Sequence, residues 1–217
     1  ANRSRLAARR GPGIDAGLLA LRQVKEQFGL PVLTDIHEPW QAAPVADVAD
    51  ALQIPAFLCR QTDLLIAAGR TRRPVNIKKG QWLAAEVMQG AVEKTREAGG
   101  GDVAVTERGT MFGYGDQVVD MRNFRRLRLA TGVPVVFDAT HAVQQPGLGP
   151  DGTSAGQREH VADLLAAAAA AGADGFFLET HPRPEEASSD AATQWPLERL
   201  EELLRRTLAV WQAAHPA

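Results

Sequence analysis

Short apolar runs alternate with polar clusters along the whole chain. Runs over 31–35, 53–57, 74–78, 102–106, 134–138 and 175–179 are continuous, and each closes on charged or polar residues. A parallel strand buried on both faces reads as such a run, not as strict alternation. The closing clusters are Asp35-Ile-His-Glu38, Arg60-Gln-Thr-Asp63, Lys78-Lys79, Glu107-Arg108, Asp138-Ala-Thr-His141 and Glu179-Thr-His181. Helical periodicity is read at 14–28, 41–51, 84–98, 120–131, 155–172 and 196–214. In the last of these, Leu197, Leu200, Leu203, Leu204 and Leu208 keep a spacing of three to four, and Pro196 suits a first turn. Strands alternating with helices through short connectors give an α/β fold with right-handed crossovers and a parallel sheet. An open doubly wound sheet and a barrel both satisfy that pattern. No Gly-x-Gly-x-x-Gly loop follows a run, which weakens the dinucleotide-binding open sheet. Polar residues at every strand end favour a (β/α)8 TIM barrel, whose reactive groups gather on the rim where strands end. A barrel needs eight units of about 30 residues, about 250 in all. Six units are visible, so two strands are expected before Ala1, with residues 1–217 forming one barrel domain that lacks its first strands.

Composition narrows the classes. The chain has 217 residues, 45% of them hydrophobic and 23% charged, enough for one well-buried core. A net charge of -2 argues against a general polyanion or nucleic-acid binder. The single cysteine, Cys59, has no partner for an internal disulfide, which fits a reducing cytoplasm. No stretch reaches the roughly 20 apolar residues of a membrane helix. Four arginines among the first ten residues resemble a transit peptide, but a basic loop at a strand end is the plainer reading.

The candidate chemistry lies at the strand ends. Arg60, Lys78, Lys79 and Arg108 come from three of them, and converging cations suit a phosphorylated or polycarboxylate substrate. The alternative is that each pairs with a neighbouring carboxylate such as Asp63 or Glu107. Asn2, Arg3 and Ser4 add a hydroxyl and a guanidinium, enough for a second phosphate. His141, Glu179 and Asp190 offer an imidazole and two carboxylates from neighbouring strand ends, a plausible shell for a divalent metal. A plain hydrogen-bond network satisfies the same residues, and His37 and His181 face the same two readings. His160 and His215 are expected on helices, facing solvent. The Gly- and Pro-rich segment 145–156, directly after His141, is expected to form a lid over the mouth. Cys59 reads as a buried, inert thiol.

Several blocks together resemble a known family. Ala1-Asn-Arg-Ser4, Thr34-Asp-Ile-His-Glu-Pro39, Pro55-Ala-Phe-Leu-Cys-Arg-Gln-Thr-Asp63, Asn76-Ile-Lys-Lys-Gly-Gln81 and Thr106-Glu-Arg-Gly-Thr-Met-Phe-Gly-Tyr114 are similar to 3-deoxy-D-manno-octulosonate 8-phosphate synthases, as are Phe137-Asp-Ala-Thr-His-Ala-Val-Gln144, Glu179-Thr-His-Pro182 and Ser189-Asp-Ala-Ala-Thr-Gln194. The resemblance implies a homotetrameric (β/α)8 barrel, cytoplasmic, making a precursor of the lipopolysaccharide inner core. Its reaction would join phosphoenolpyruvate to D-arabinose 5-phosphate and release phosphate. It further implies that Arg60, Lys78 and Arg108 cradle phosphoenolpyruvate, with Gln53 and Phe57 lining the cradle and Gln144 beside it. Asn2, Arg3, Ser4, Asp35 and the lid residue Ser154 would contact the sugar phosphate. His141, Glu179 and Asp190 would hold zinc, iron(II) or manganese, with His141 and Asp190 also acting in catalysis. The stretch 190–194 matches the metal-dependent branch, whose fourth ligand, a cysteine, is expected before Ala1. The nearest rival is a 3-deoxy-D-arabino-heptulosonate 7-phosphate synthase, with erythrose 4-phosphate as acceptor. That family shows Lys-Pro-Arg-Thr where this chain has Ala1-Asn-Arg-Ser4. A metal-dependent barrel hydrolase using the same trio leaves the rim cations unexplained.

Overall fold

The structure, a computed structural model, describes residues 11–112 and 114–215. Six parallel strands form its centre: β1 (Leu33–Asp35), β2 (Ala51–Ile54), β3 (Val75–Lys78), β4 (Val103–Glu107), β5 (Val135–Asp138) and, later in the chain, β8 (Gly175–Phe177). They pair in the order β1-β2-β3-β4-β5-β8, with Leu52 opposite Val75, Val75 opposite Val103, Val105 opposite Val135 and Val136 opposite Gly175. Helices α1 (Ile14–Phe28), α2 (Ala42–Ala46), α3 (Thr62–Arg70), α4 (Met88–Glu97), α5 (Arg122–Thr131), α6 (Val161–Ala170) and α7 (Leu200–Ala214) alternate with these strands. The result is a curled sheet with helices between its strands, an incomplete (β/α)8 TIM barrel. Among the described residues, β1 and β8 are each paired on one side only. Helix α1, which precedes β1, leaves Leu19 and Phe28 exposed and has no fully buried residue.

The core lies between the sheet and the helices. Leu52, Ile54, Ile77, Val105 and Phe137 from the strands meet Leu64, Leu65, Met88, Leu127 and Leu165 from the helices, all at 2% exposure or less. Phe124 of α5 meets Phe137 of β5 edge to face, with centroids 5.8 Å apart. Truncating one of these leucines to alanine would cost about 2–5 kcal/mol. Helices α3 and α4 approach so closely at Gly69 that a Cβ there would lie 2.2 Å from the Thr95 carbonyl oxygen. Only glycine permits that contact.

The observed elements correct several expected bounds. The helix expected at 41–51 stops at Ala46, and the strand expected at 53–57 runs from Ala51 to Ile54. Pro55 has no N–H to continue the ladder, and Ala56–Leu58 turns as a 3-10 helix. Helix α3, absent from the expectation, takes the apolar residues after Asp63. The helix expected at 155–172 begins only at Val161, because β7 (Ala155–Gly156) pairs antiparallel with β6 (Gln144–Gln145). The run 175–179 leaves the sheet after Phe177; there the backbone N–H of Glu179 donates instead to Thr140 Oγ1 at 2.7 Å. The last two strands, β9 (Thr180–His181) and β10 (Trp195–Pro196), pair with each other and tie the Glu179 loop to the start of α7. No helix among the described residues is long and apolar enough to cross a membrane.

Candidate functional site

The carboxyl ends of β3, β4, β5 and β8 share one rim, and three connected groups of side chains occupy it. Adjacent strand residues point to opposite faces, so Lys78 and Lys79 part company at the end of β3. Lys78 Nζ lies 2.8 Å from Asp138 Oδ2 and 3.7 Å from the Phe177 ring centroid. Lys79 turns the other way and is fully buried. Its ammonium donates to the carbonyls of Gly80, Leu83 and Gly109 and sits 3.6 Å from Glu107 Oε1. Burial pushes its pKa down, against the pull of Glu107. Glu107 in turn accepts from the Gly109 N–H at 2.7 Å and from Asn123 Nδ2 at 3.0 Å. The ion-pair alternative therefore holds for Lys79, which braces the turn that presents Arg108.

Arg108 is 4% exposed and is met by two amides. Its Nη2 donates to Gln144 Oε1 at 2.8 Å and its Nη1 to Gln117 Oε1 at 3.3 Å. Among the described residues no carboxylate forms an ion pair with it. Burial lowers its pKa, and only more distant carboxylates offset that. A buried guanidinium whose hydrogen-bond partners are amides keeps a positive charge that an anion could pair with.

Both amides lead on to the third group. Gln117 Nε2 donates to the His141 carbonyl at 2.7 Å, and Gln144 Nε2 donates to Asp190 Oδ1. One imidazole nitrogen of His141 and carboxylate oxygens of Glu179 and Asp190 lie within 4.8 Å of one another. His141 Nε2 is 3.5 Å from Glu179 Oε1, and its Nδ1 is 2.7 Å from Asp138 Oδ2. Burial raises the Glu179 pKa, with Asp190 and Asp138 adding to the effect and His141 opposing it. Burial would also raise Asp138, but His141 and Lys78 outweigh it and hold the carboxyl far below the usual range. Asp190 adopts a left-handed backbone, φ 55, rare for a residue with a side chain. Its carbonyl accepts from the N–H groups of Thr193 and Gln194 at 2.9 Å each, which holds that conformation. A nitrogen and two carboxylates converging from three loops form a donor set that fits a divalent metal.

Beside this group runs a buried polar ladder. Thr106 Oγ1 donates to Asn76 Oδ1 at 2.8 Å, Asn76 Nδ2 to Gln53 Oε1 at 2.8 Å, and Gln53 Nε2 to Asp35 Oδ1 at 2.6 Å. Asp35, Gln53, His37 and Phe177 line a cavity of ≈ 440 Å³ at the open side of the sheet.

The sequence-expected residues divide accordingly. Lys78, Arg108, Gln144, His141, Glu179 and Asp190 come together, while Asp35 and Gln53 belong to the ladder and share with Phe177 the lining of the cavity. Phe57 is 71% exposed and packs on Trp82 rather than on this group. Arg60 is exposed in the turn before α3, with no bond to the cluster among the described residues. Ser154 is half-buried in the segment 145–156, which forms a hairpin closed by β6 and β7. Asn2, Arg3 and Ser4 lie outside the described residues. Cys59 is fully buried and its pKa is raised by burial, as an inert thiol requires. His160 and His215 are exposed, His160 on a 3-10 turn and His215 just past α7; His181 accepts at Nδ1 from the Arg183 N–H at 3.0 Å. Sequence reasoning missed Gln117 and Thr140. Asp138, three residues before a strand-end histidine, carried the one available signal.

Comparison with known proteins places this geometry in a family. The profile of the DAHP synthetase I family matches residues 1–213. The 2-dehydro-3-deoxyphosphooctonate aldolase of Nitratidesulfovibrio vulgaris (strain DP4) is 55% identical over 99% of this chain and 78% of its own length. The enzymes of the same name from Alkalilimnicola ehrlichii and Syntrophotalea carbinolica are 53% and 52% identical, over 98% and 97% of this chain and 76% and 75% of theirs. These names favour the octulosonate reading over the heptulosonate one, and the chain belongs to the 2-dehydro-3-deoxyphosphooctonate aldolase family of aldol-type condensing enzymes.

Proposed function

We propose that this protein condenses phosphoenolpyruvate with D-arabinose 5-phosphate and water, giving 3-deoxy-D-manno-octulosonate 8-phosphate and inorganic phosphate. The observation that carries the reading is Arg108, a buried guanidinium with amide partners alone, beside Lys78 and the His141, Glu179 and Asp190 trio. The phosphate of phosphoenolpyruvate takes Arg108 and Lys78, and Arg60, exposed in the turn before α3, would have to swing in to join them. Gln53 flanks the phosphate, Phe57 stands outside against Trp82, and Asp35 and Ser154 meet the sugar phosphate together with Asn2, Arg3 and Ser4. In the reaction the enol carbon bonds to the aldehyde carbon, and water adds at the carbon bearing the ester. The phosphate then departs with its bridging oxygen, and the cations balance the charge that builds on it.

His141, Glu179 and Asp190 would hold zinc, iron(II) or manganese. Such an ion supplies Lewis acidity, toward either a carbonyl oxygen or a water. Gln144 keeps Asp190 and Arg108 at a fixed spacing while both substrates bind. The hairpin 145–156 is the lid that excludes bulk water from the reactive intermediate. A cytoplasmic homotetramer supplying lipopolysaccharide synthesis completes the proposal. Phosphoenolpyruvate carrying oxygen-18 at the bridging position tests it. The label should leave in inorganic phosphate; label retained in the organic product would mean attack at phosphorus and a phosphatase.

A further inference from the structure

Asp138 has been given no role above, yet its carboxylate holds two side chains of the rim and one backbone N–H. Its carboxylate is fully buried at the end of β5. Oδ1 accepts from the His141 backbone N–H at 3.0 Å. Oδ2 lies 2.7 Å from His141 Nδ1 and 2.8 Å from Lys78 Nζ. The two groups it grips belong to different parts of the site, one to the metal-capable trio and one to the cations.

We infer that Asp138 is a positioning residue that fixes which nitrogen of His141 faces the metal and pins Lys78 beside it. A neutral imidazole carries one N–H, and a carboxylate only accepts hydrogen bonds. With Oδ2 against Nδ1, the proton stands on Nδ1 and the free lone pair on Nε2, the nitrogen 3.5 Å from Glu179 Oε1. An isosteric asparagine defeats this in both orientations. With its NH₂ at the Oδ2 position it donates to Nδ1, drives the proton to Nε2, and faces the Lys78 ammonium. With its NH₂ at the Oδ1 position it meets the His141 backbone N–H, donor against donor. Partners of a ligating histidine act this way in general, and their loss weakens metal binding about 10- to 100-fold.

The inference rests on the proposed metal site, and cobalt(II) titration of the metal-free protein, followed by visible absorption, separates the two. Asp138→Asn should weaken cobalt binding by about tenfold or more relative to the unsubstituted protein. In a His141→Ala background the same substitution should change the residual affinity by less than about twofold, because Asp138 acts through His141. Equal losses in both backgrounds, or none in the first, would overturn the positioning role. Ring-nitrogen NMR of the zinc-loaded, unsubstituted protein needs no variant to fold. The proton should be on Nδ1 with Nε2 ligating, and ligation through Nδ1 would refute the inference. Failure of the unsubstituted protein to bind cobalt at all would sink the metal site and the inference with it.

Discussion

Arg108 Nη2 donates to Gln144 Oε1 over 2.8 Å, and through that bond the buried cation is linked to the trio, since the same amide donates to Asp190. Arg108 and the metal-capable trio are therefore parts of one polar structure, and a change at their junction should be felt at both ends. Gln144→Leu keeps the volume and removes both bonds. Hydrogen bonds to charged groups contribute about 1.5–3 kcal/mol, so the Michaelis constant for phosphoenolpyruvate and the metal dissociation constant should each rise about tenfold or more. Steady-state kinetics and metal titration on one preparation check this, and a loss confined to one of the two would show that the amide does not join them.

Burial raises the Glu179 pKa above its ordinary 4.5, so the fold of the metal-free protein disfavours the charged form of this carboxyl. The sign follows from proton uptake: below pH 4.5 the group costs nothing, and its cost grows as the pH climbs through the raised folded value. Glu179→Gln should raise the melting temperature of the metal-free protein at pH 7 and leave it unchanged at pH 4. Metal binding should fall in the same variant. A variant less stable than the parent at pH 7 would mean that the carboxylate is stabilised in the fold.

The Lys79–Glu107 pair predicts a different pattern, one of stability without chemistry. Both side chains are fully buried, and removing one partner strands the other charge. Lys79→Met should cost about 3–5 kcal/mol in urea unfolding. The double variant with Glu107→Gln should recover part of that loss, a non-additivity that marks direct contact. Additive losses would assign Lys79's contribution to its carbonyl contacts alone.

How much of this was legible beforehand follows from particular residues. The parallel strands read clearly because double burial makes each an unbroken apolar run, and the trio read because catalytic polar groups of such a fold stand where those runs stop. Lys78 and Lys79 looked equivalent in sequence; the alternating pleat sends one to the rim and the other into a cage of carbonyls. Gln117 and Thr140 act by bridging loops that only the fold brings together, so no spacing announces them. The sequence hides helix α3 because its start, Arg60 to Asp63, has the look of a strand-end cluster. The end of the helix expected at 155–172 is close to the observed one, but Ala155 and Gly156 belong to a hairpin set by partners ten and twelve residues earlier.

That hairpin depends on Gly156. A Cβ there would lie 2.1 Å from Thr193 Cγ2, and Thr193 is itself buried beside Asp190. Gly156→Ala should push the hairpin and the 190–194 loop apart. We expect stability to drop by about 1–3 kcal/mol, the usual result of overpacking, together with weaker metal binding. Unchanged melting and unchanged metal affinity would show that the two loops move independently.

The central claim is that one rim joins two phosphorylated substrates and expels one phosphate. Inorganic phosphate release, followed with phosphoenolpyruvate alone, with D-arabinose 5-phosphate added, and with erythrose 4-phosphate in its place, tests it most directly. The account predicts release only when an aldose phosphate is present, fastest with arabinose 5-phosphate, abolished by chelation and restored by a divalent metal. Release from phosphoenolpyruvate alone, or a preference for erythrose 4-phosphate, would contradict it.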